Sequence, residues 1–315
     1  MKALLAIVAT IGLATTSYAR DNIQIAGSST VLPYASIVAE AFGENFNYPT
    51  PVVESGGSGA GRKRLCEGVG LNTIDIANSS SLMLEDEEAR CKEAIDFAKV
   101  QIGYDGIVFA SRLENEGFDN LTPMQIFYAL HEKSKATNWN QIDNSLPDRP
   151  IKMYIPGTKH GTREVFEDKV MIEGCKKAAE YDKLGKKGCM KIRRDGVSVD
   201  IDGDYTETLA TLDANPEGIG VFGLSFLQNN TDTIYAAKIN GVEASTETIA
   251  SGEYPISRPL QFYVKLNHID VVPGLRDYIN FFVSDEIAGP DGPLSEYGLV
   301  PDPELEKTQE MVAEW

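Results

Sequence analysis

Short apolar, β-branched runs alternate along this chain with longer stretches whose apolar residues recur every three or four positions. The first kind predicts strands at residues 22–26, 51–54, 73–77, 100–110, 151–155, 219–222, 233–238 and 259–265. The second predicts helices at 31–46, 59–67, 85–98, 122–131, 162–173, 206–214 and 272–284. Alternation of this kind builds α/β domains with mostly parallel sheets covered by helices. No internal repeat and no low-complexity linker interrupts it. Two domains without a Pro/Gly/Ser-rich connector must be joined along extended strands, which makes one of them discontinuous. The candidate crossings are Val100 to Ala110 and the return through Tyr254-Pro255-Ile256-Ser257-Arg258-Pro259.

The first nineteen residues stand outside that pattern. Lys2 precedes an apolar stretch from Leu4 to Ala14, and Ser17-Tyr18-Ala19 offers a small-x-Ala cleavage site. This predicts a secretory signal cleaved after Ala19, with the mature protein in the periplasm. Position 20 is Arg rather than Cys, which argues against a lipid anchor. The remaining chain is long enough for two domains with separate cores. Its composition is that of an ordinary globular protein, and its formal charge of −18 disfavours nucleic acid and anionic membranes as partners. The same charge opposes small anions, so any anion site must act through short-range donors.

Four cysteines in an exported chain predict two disulfides. Three pairings are open; joining neighbours, Cys66 to Cys91 and Cys175 to Cys189, makes compact loops. No Cys-x-x-Cys spacing occurs and the three histidines are scattered, which argues against a metal site. Eight Lys and Arg residues between positions 176 and 194 read as a solvated face. Glu85-Asp86-Glu87-Glu88 reads as a helix start favoured by the dipole, without a calcium-loop pattern.

The candidate chemistry lies in three turns, each following a predicted strand and opening a predicted helix. They are Gly27-Ser28-Ser29-Thr30-Val31-Leu32-Pro33, Glu54-Ser55-Gly56-Gly57-Ser58-Gly59-Ala60-Gly61 and Gly157-Thr158-Lys159-His160-Gly161-Thr162-Arg163. A helix start leaves N–H groups unpaired and carries partial positive charge, which suits an anion. Ser29, Thr30 and the Val31 N–H are candidate donors in the first turn, although Ser29 or Thr30 could serve only as an N-cap. Ser58 is the candidate in the second, where glycines let backbone approach closely. Near matches to nucleotide motifs fail there. Arg62-Lys63 follows Gly61 where a P-loop needs Lys-Ser/Thr, and Arg62 occupies the third glycine position of a dinucleotide fingerprint. Ala60 stands where a nucleophile elbow needs glycine.

In the third turn, Gly161 and Thr162 add donors and Arg163 offers a planar fork matched to two oxygens of a tetrahedral anion. The competing role for Arg163 is an ion pair with Glu164 or Glu167. His160 can donate one hydrogen bond, and a protonated imidazole also adds charge; it could equally be a solvent-facing turn residue. Asp75 is the residue that discriminates. A carboxylate beside an anion makes sense when the anion carries a proton to donate, as phosphate does near neutral pH and sulfate does not. The alternative is an Asp that ends a strand and caps a turn with Asn78 to Ser80.

The ordered set of Gly27-Ser28-Ser29-Thr30, Ser55-Gly56-Gly57-Ser58-Gly59-Ala60-Gly61, Asp75-Ile76-Ala77-Asn78-Ser79-Ser80, Gly161-Thr162-Arg163, Gly218-Ile219-Gly220-Val221-Phe222-Gly223 and Arg258-Pro259-Leu260 resembles the phosphate-binding proteins of bacterial ABC-type phosphate importers, the PstS family. The resemblance covers nearly the whole mature chain. It implies the two-lobed type II periplasmic-binding-protein fold, an α/β architecture in which each lobe is a mixed, mostly parallel sheet flanked by helices, with the ligand cleft between. Lobe 1 is then expected at 20–108 and 256–315, and lobe 2 at 109–255. It further implies a monomeric receptor without cofactor or catalytic activity, which closes on inorganic phosphate and delivers it to membrane permease subunits. His160 departs from the family, which usually has Ser before Gly-Thr. The competing functions are a receptor for sulfate or molybdate and a secreted phosphatase or hydrolase using Ser58 or Thr30 with a histidine.

Overall fold

The computed structural model describes residues 20–115, 118–158, 161–203 and 205–315. The signal segment, its cleavage site and His160 lie outside the described residues. Eleven strands are seen among the described residues: β1 (Gln24–Gly27), β2 (Val52–Ser55), β3 (Ile76–Ser79), β4 (Phe97–Arg112), β5 (Asn120–Leu121), β6 (Met153–Pro156), β7 (Ser198–Ile201), β8 (Ile219–Gly223), β9 (Ile234–Ala236), β10 (Lys238–Ile239) and β11 (Ser257–Lys265). Nine of them form one sheet in the order β2-β1-β3-β11-β4-β8-β6-β7, with β9 beside β4, while β5 and β10 pair separately.

Two parallel blocks make up this sheet. In one, β1 lies parallel between β2 and β3; in the other, β6 lies parallel between β7 and β8. Strand β4 belongs to both. Its first part pairs antiparallel with β11 from Phe97↔Lys265 to Gly106↔Ser257, and its last residues pair with β8 and β9. The extended crossing is therefore longer than the apolar run suggests, because Phe97 and Arg112 lie at its ends rather than in flanking turns.

Each block has its own core, and together they make a two-lobed α/β fold. In lobe 1, Val31, Val38 and Phe42 meet Phe262, Tyr278, Ile279 and Phe282. Val31, just before the helix α1 (Leu32–Asn45), and Val38 and Phe42 within it are spaced by seven and four, so that one stripe faces the sheet. In lobe 2, Phe109, Phe127, Trp139, Tyr154, Phe166 and Phe222 are fully or almost fully buried together. Helix α2 (Ser58–Leu65) packs over β1 so closely that a Cβ on Gly61 would come within 2.6 Å of the Gly27 Cα.

The helix expected over 85–98 stops early, as α3 (Glu85–Lys92). Cys91 is tied to Cys66 just before that end, and β4 begins at Phe97. The second disulfide joins Cys175 and Cys189 with their Cα atoms 5.7 Å apart, so both bridges join neighbouring cysteines. A capping box at Thr122 and Gln125 opens α4 (Pro123–Leu130). The segment after the third turn starts as α5 (Gly161–Val165) and continues in a wider, i+5-bonded stretch over Phe166–Ile172. No helix of the described residues is long and apolar enough to cross a membrane.

Candidate anion-binding cleft

Because β1, β2 and β3 run parallel, the residues after their carboxyl ends converge on one edge of lobe 1. Gly27 closes the first turn in the left-handed half of backbone space at φ 142°, where a side chain would strike the Asn78 carbonyl. The Ser28 N–H then bonds that carbonyl at 2.9 Å, which stitches the first turn to the end of β3. Gly56 and Gly57 both donate to the Gly27 carbonyl, at 2.9 and 2.7 Å, and stitch the second turn to the first.

Three hydroxyls meet at this junction. Ser28 donates to Ser80 at 3.0 Å, Ser58 lies 3.2 Å from Ser80, and the Ser80 N–H donates to the Ser58 Oγ at 3.1 Å. The Ser28 Oγ also accepts from the N–H groups of Thr30 and Val31, so it caps α1. Capping by Ser28 leaves the Ser29 and Thr30 hydroxyls to face the cleft. Thr30 is almost fully buried and receives a hydrogen bond from the Arg258 guanidinium on β11.

Across the cleft, α5 brings Glu164 onto this donor set. Its carboxylate accepts from Thr30 Oγ1 at 2.8 Å and from Ser29 Oγ at 3.0 Å, and lies 3.6 Å from an Arg258 nitrogen. Thr162, at the start of the same helix, bonds the Tyr205 hydroxyl at 3.0 Å. Asp105, carried by β4, completes the arrangement. It is 5% exposed, its Oδ2 has no hydrogen-bond partner among the described residues, and it lies 3.8 Å from the Arg258 Nε. Burial pushes the Asp105 carboxyl up from its ordinary range; Arg258 opposes this and Glu164 adds to it. Burial likewise raises the phenols of Tyr34 and Tyr205 beside it.

Two expected site residues are placed elsewhere. Asp75 precedes β3, at the opposite end from Ser80, about 16 Å away at ~3.3 Å per strand residue. Its carboxylate is fully buried and bonded by the Arg20 guanidinium, by His268 Nδ1 at 2.6 Å and by the Gln24 N–H at 2.7 Å. It ties Arg20, Gln24 and His268 together and does not face the cleft. Arg163 turns back into lobe 2, where it donates to the Pro156 carbonyl at 2.9 Å, to Asp200 at 2.7 Å and to Glu167 at 2.7 Å. Helical spacing explains this. Arg163 and Glu167 share one face of the segment, and Glu164 occupies the position that meets lobe 1.

Ser29, Thr30 and Thr162 thus stand with Asp105, Glu164, Tyr205 and Arg258, while Ser28, Ser58 and Ser80 meet beside them and the Val31 N–H goes to Ser28. Ser80 and Arg258 lie inside sequence motifs already singled out, so their positions were signalled. Asp105 was not: β4 also carries Lys99 and Arg112, and nothing local sets its single carboxylate apart.

A family model for the PBP superfamily domain matches residues 13–286. Protein SphX of Synechocystis sp. is 29% identical over 303 residues, covering 93% of this chain and 82% of its own. The phosphate-binding protein PstS of Staphylococcus haemolyticus is 27% identical over 268 residues, covering 82% and 76%. The crystal structure of a possible phosphate binding protein from Planctomyces limnophilus superimposes with a TM-score of 0.73 at 25% identity, over 93% of this chain and 98% of that one. An ABC-type phosphate transport receptor from Vibrio cholerae shares the fold, with a TM-score of 0.60 at 22% identity over 88% and 99%.

Proposed function

The chain belongs to the PBP superfamily, and on that premise we propose that it is the extracytoplasmic receptor of an ABC-type phosphate importer. It takes up one inorganic phosphate between its lobes and delivers it to membrane permease subunits. It is a binder rather than an enzyme. Our reading includes export by a signal segment ending at Ala19, residence in the periplasm and action as a monomer.

The observation that carries this reading is the Glu164 carboxylate on Ser29, Thr30 and Arg258. These three contacts are all made by its Oε2, which stands in for one oxygen of a tetrahedral oxyanion. They mark a place where hydroxyl donors of one lobe and a buried guanidinium already hold a negative group presented by the other. Phosphate replacing that carboxylate gains the Ser29 and Thr30 hydroxyls, Arg258, and the backbone and hydroxyl groups at Val31, Ser58, Gly161 and Thr162. His160, outside the described residues, is proposed as a further donor. The likeness to the phosphate-binding protein PstS and to the possible phosphate binding protein from Planctomyces limnophilus supports the choice of anion.

The discriminating role assigned to Asp75 passes to Asp105. A buried carboxylate with a free lone pair, next to the bound anion, accepts a hydrogen bond from a protonated phosphate oxygen and repels an unprotonated sulfate. Calorimetry on mature, phosphate-stripped protein at neutral pH tests the reading. Micromolar or tighter phosphate binding with little sulfate binding is expected, and equal affinities for the two would overturn it.

A further inference from the structure

The cleft holds more room than a tetrahedral anion fills. Beside Thr30 and Thr162 opens a cavity of about 370 Å³, lined also by Tyr34, Asp105, Tyr205, Phe226 and Tyr297. That size falls within the roughly 300–1,000 Å³ of small-molecule pockets. The walls are aromatic. Tyr34 and Tyr297 meet edge to face with centroids 5.5 Å apart, and Tyr205 and Phe226 lie 5.5 Å apart at 54°. Its charged lining consists of Asp105 and Glu296, both carboxylates. Rings combined with carboxylates form a setting that attracts an organic cation.

Charge balance points the same way. Asp105 and Glu164 already flank Arg258 at 3.8 and 3.6 Å, so the donor site carries more negative than positive side-chain charge before any anion arrives. An orthophosphate that replaces Glu164 still sets Asp105 and its own charge against the single Arg258 cation. A ligand with a cationic group on a short chain does not, and its cation supplies the buried Asp105 Oδ2 with the partner it lacks.

We propose that this cavity is a second subsite, through which the cleft also takes phosphate monoesters or phosphonates bearing a short aminoalkyl or quaternary ammonium chain. The phosphoryl end sits on Thr30, Thr162 and Arg258, and the cation sits against Asp105, Tyr34, Tyr205 and Tyr297. The inference rests on the phosphate reading of the donor site and extends it to a zwitterionic ligand class.

Calorimetry with four probes tests it: orthophosphate, O-phosphoethanolamine, phosphocholine and n-propyl phosphate, the last matching the chain without its charge. At least one cationic ester is expected to bind tenfold or more tightly than n-propyl phosphate. Tyr297→Ala, at a half-exposed ring outside the anion donors, should remove that preference while orthophosphate affinity stays within twofold. If orthophosphate binds and the cationic esters do no better than n-propyl phosphate, the subsite is overturned and the receptor reading stands. If none of the four binds, both fail. Binding of a cationic ester without orthophosphate upholds the subsite and overturns orthophosphate as the ligand.

Discussion

The Thr30 hydroxyl donates to the Glu164 carboxylate at 2.8 Å, joining the first helix start of one lobe to α5 of the other. The two residues are 134 positions apart, and their bond closes the cleft with a negative group of the protein's own. An incoming anion must displace Glu164 before it can reach Ser29 and Thr30. Glu164→Ala should therefore tighten phosphate binding about fivefold, or roughly 1 kcal/mol, the scale of hydrogen bonds to a partly exposed charge. Unchanged or weaker binding in titration calorimetry would show that Glu164 does not compete.

Arg258 and Arg163 make a contrasting pair. Arg258→Met removes the guanidinium that touches Thr30 and should weaken phosphate binding by about a hundredfold or more, because a buried charge-assisted contact typically contributes ~2–3 kcal/mol. Arg163→Gln should leave phosphate affinity within about threefold while lowering stability by about 2 kcal/mol through lost contacts to Pro156 and Asp200. Phosphate titration and denaturant melts on both variants check the assignment. A large affinity loss in the Arg163 variant would return that residue to the site.

Asp75→Asn addresses the same question in lobe 1. Its carboxylate is shared by Arg20, His268 and a backbone N–H in a fully buried place, so removing the charge should cost about 3 kcal/mol of stability. The ratio of phosphate to sulfate affinity should not move. A relaxed ratio in a variant that still folds would contradict the placement of Asp75 far from the anion.

Asp105 gives the pH dependence. Its folded pKa is raised above the ordinary 3.8, with burial as the main cause. The stability it contributes is thus fully present below 3.8 and is lost as pH rises through the folded value. Asparagine does not ionise, so Asp105→Asn should gain stability relative to the parent as pH climbs through that window. Thermal melts of the pair from pH 3.5 to 7 measure it. A difference that stays flat or shrinks with pH would argue that Arg258 fully compensates the charge.

Much of the frame was legible because strand-to-helix turns are local. Gly27, Gly57 and Gly157 follow apolar runs and precede helices, so parallel pairing alone brings the first two turns together. The cysteine neighbours Cys66 with Cys91 and Cys175 with Cys189 made compact loops for the same local reason. What could not be read was phase. Asp75 and Ser80 sit at opposite ends of one short strand, and a strand boundary placed at 73–77 instead of Ile76–Ser79 put the wrong end at the cleft. Arg163 and Glu164 differ by one helical step of about 100°, enough to send one into lobe 2 and the other across the cleft. Arg258 and Asp105 depend on the register of β11 against β4, where they are directly paired, and no local pattern encodes a pairing between such distant segments.

Strand β4 carries hydrogen-bonded partners of both lobes along one uninterrupted backbone. Opening the cleft must therefore be absorbed by twisting and bending that strand and its partner β11 near Gly103 and the register shift at Leu260/Gln261, like a torsion bar, rather than by swinging about a slack tether. The same continuity leaves no exposed connector at this crossing for a protease to cut.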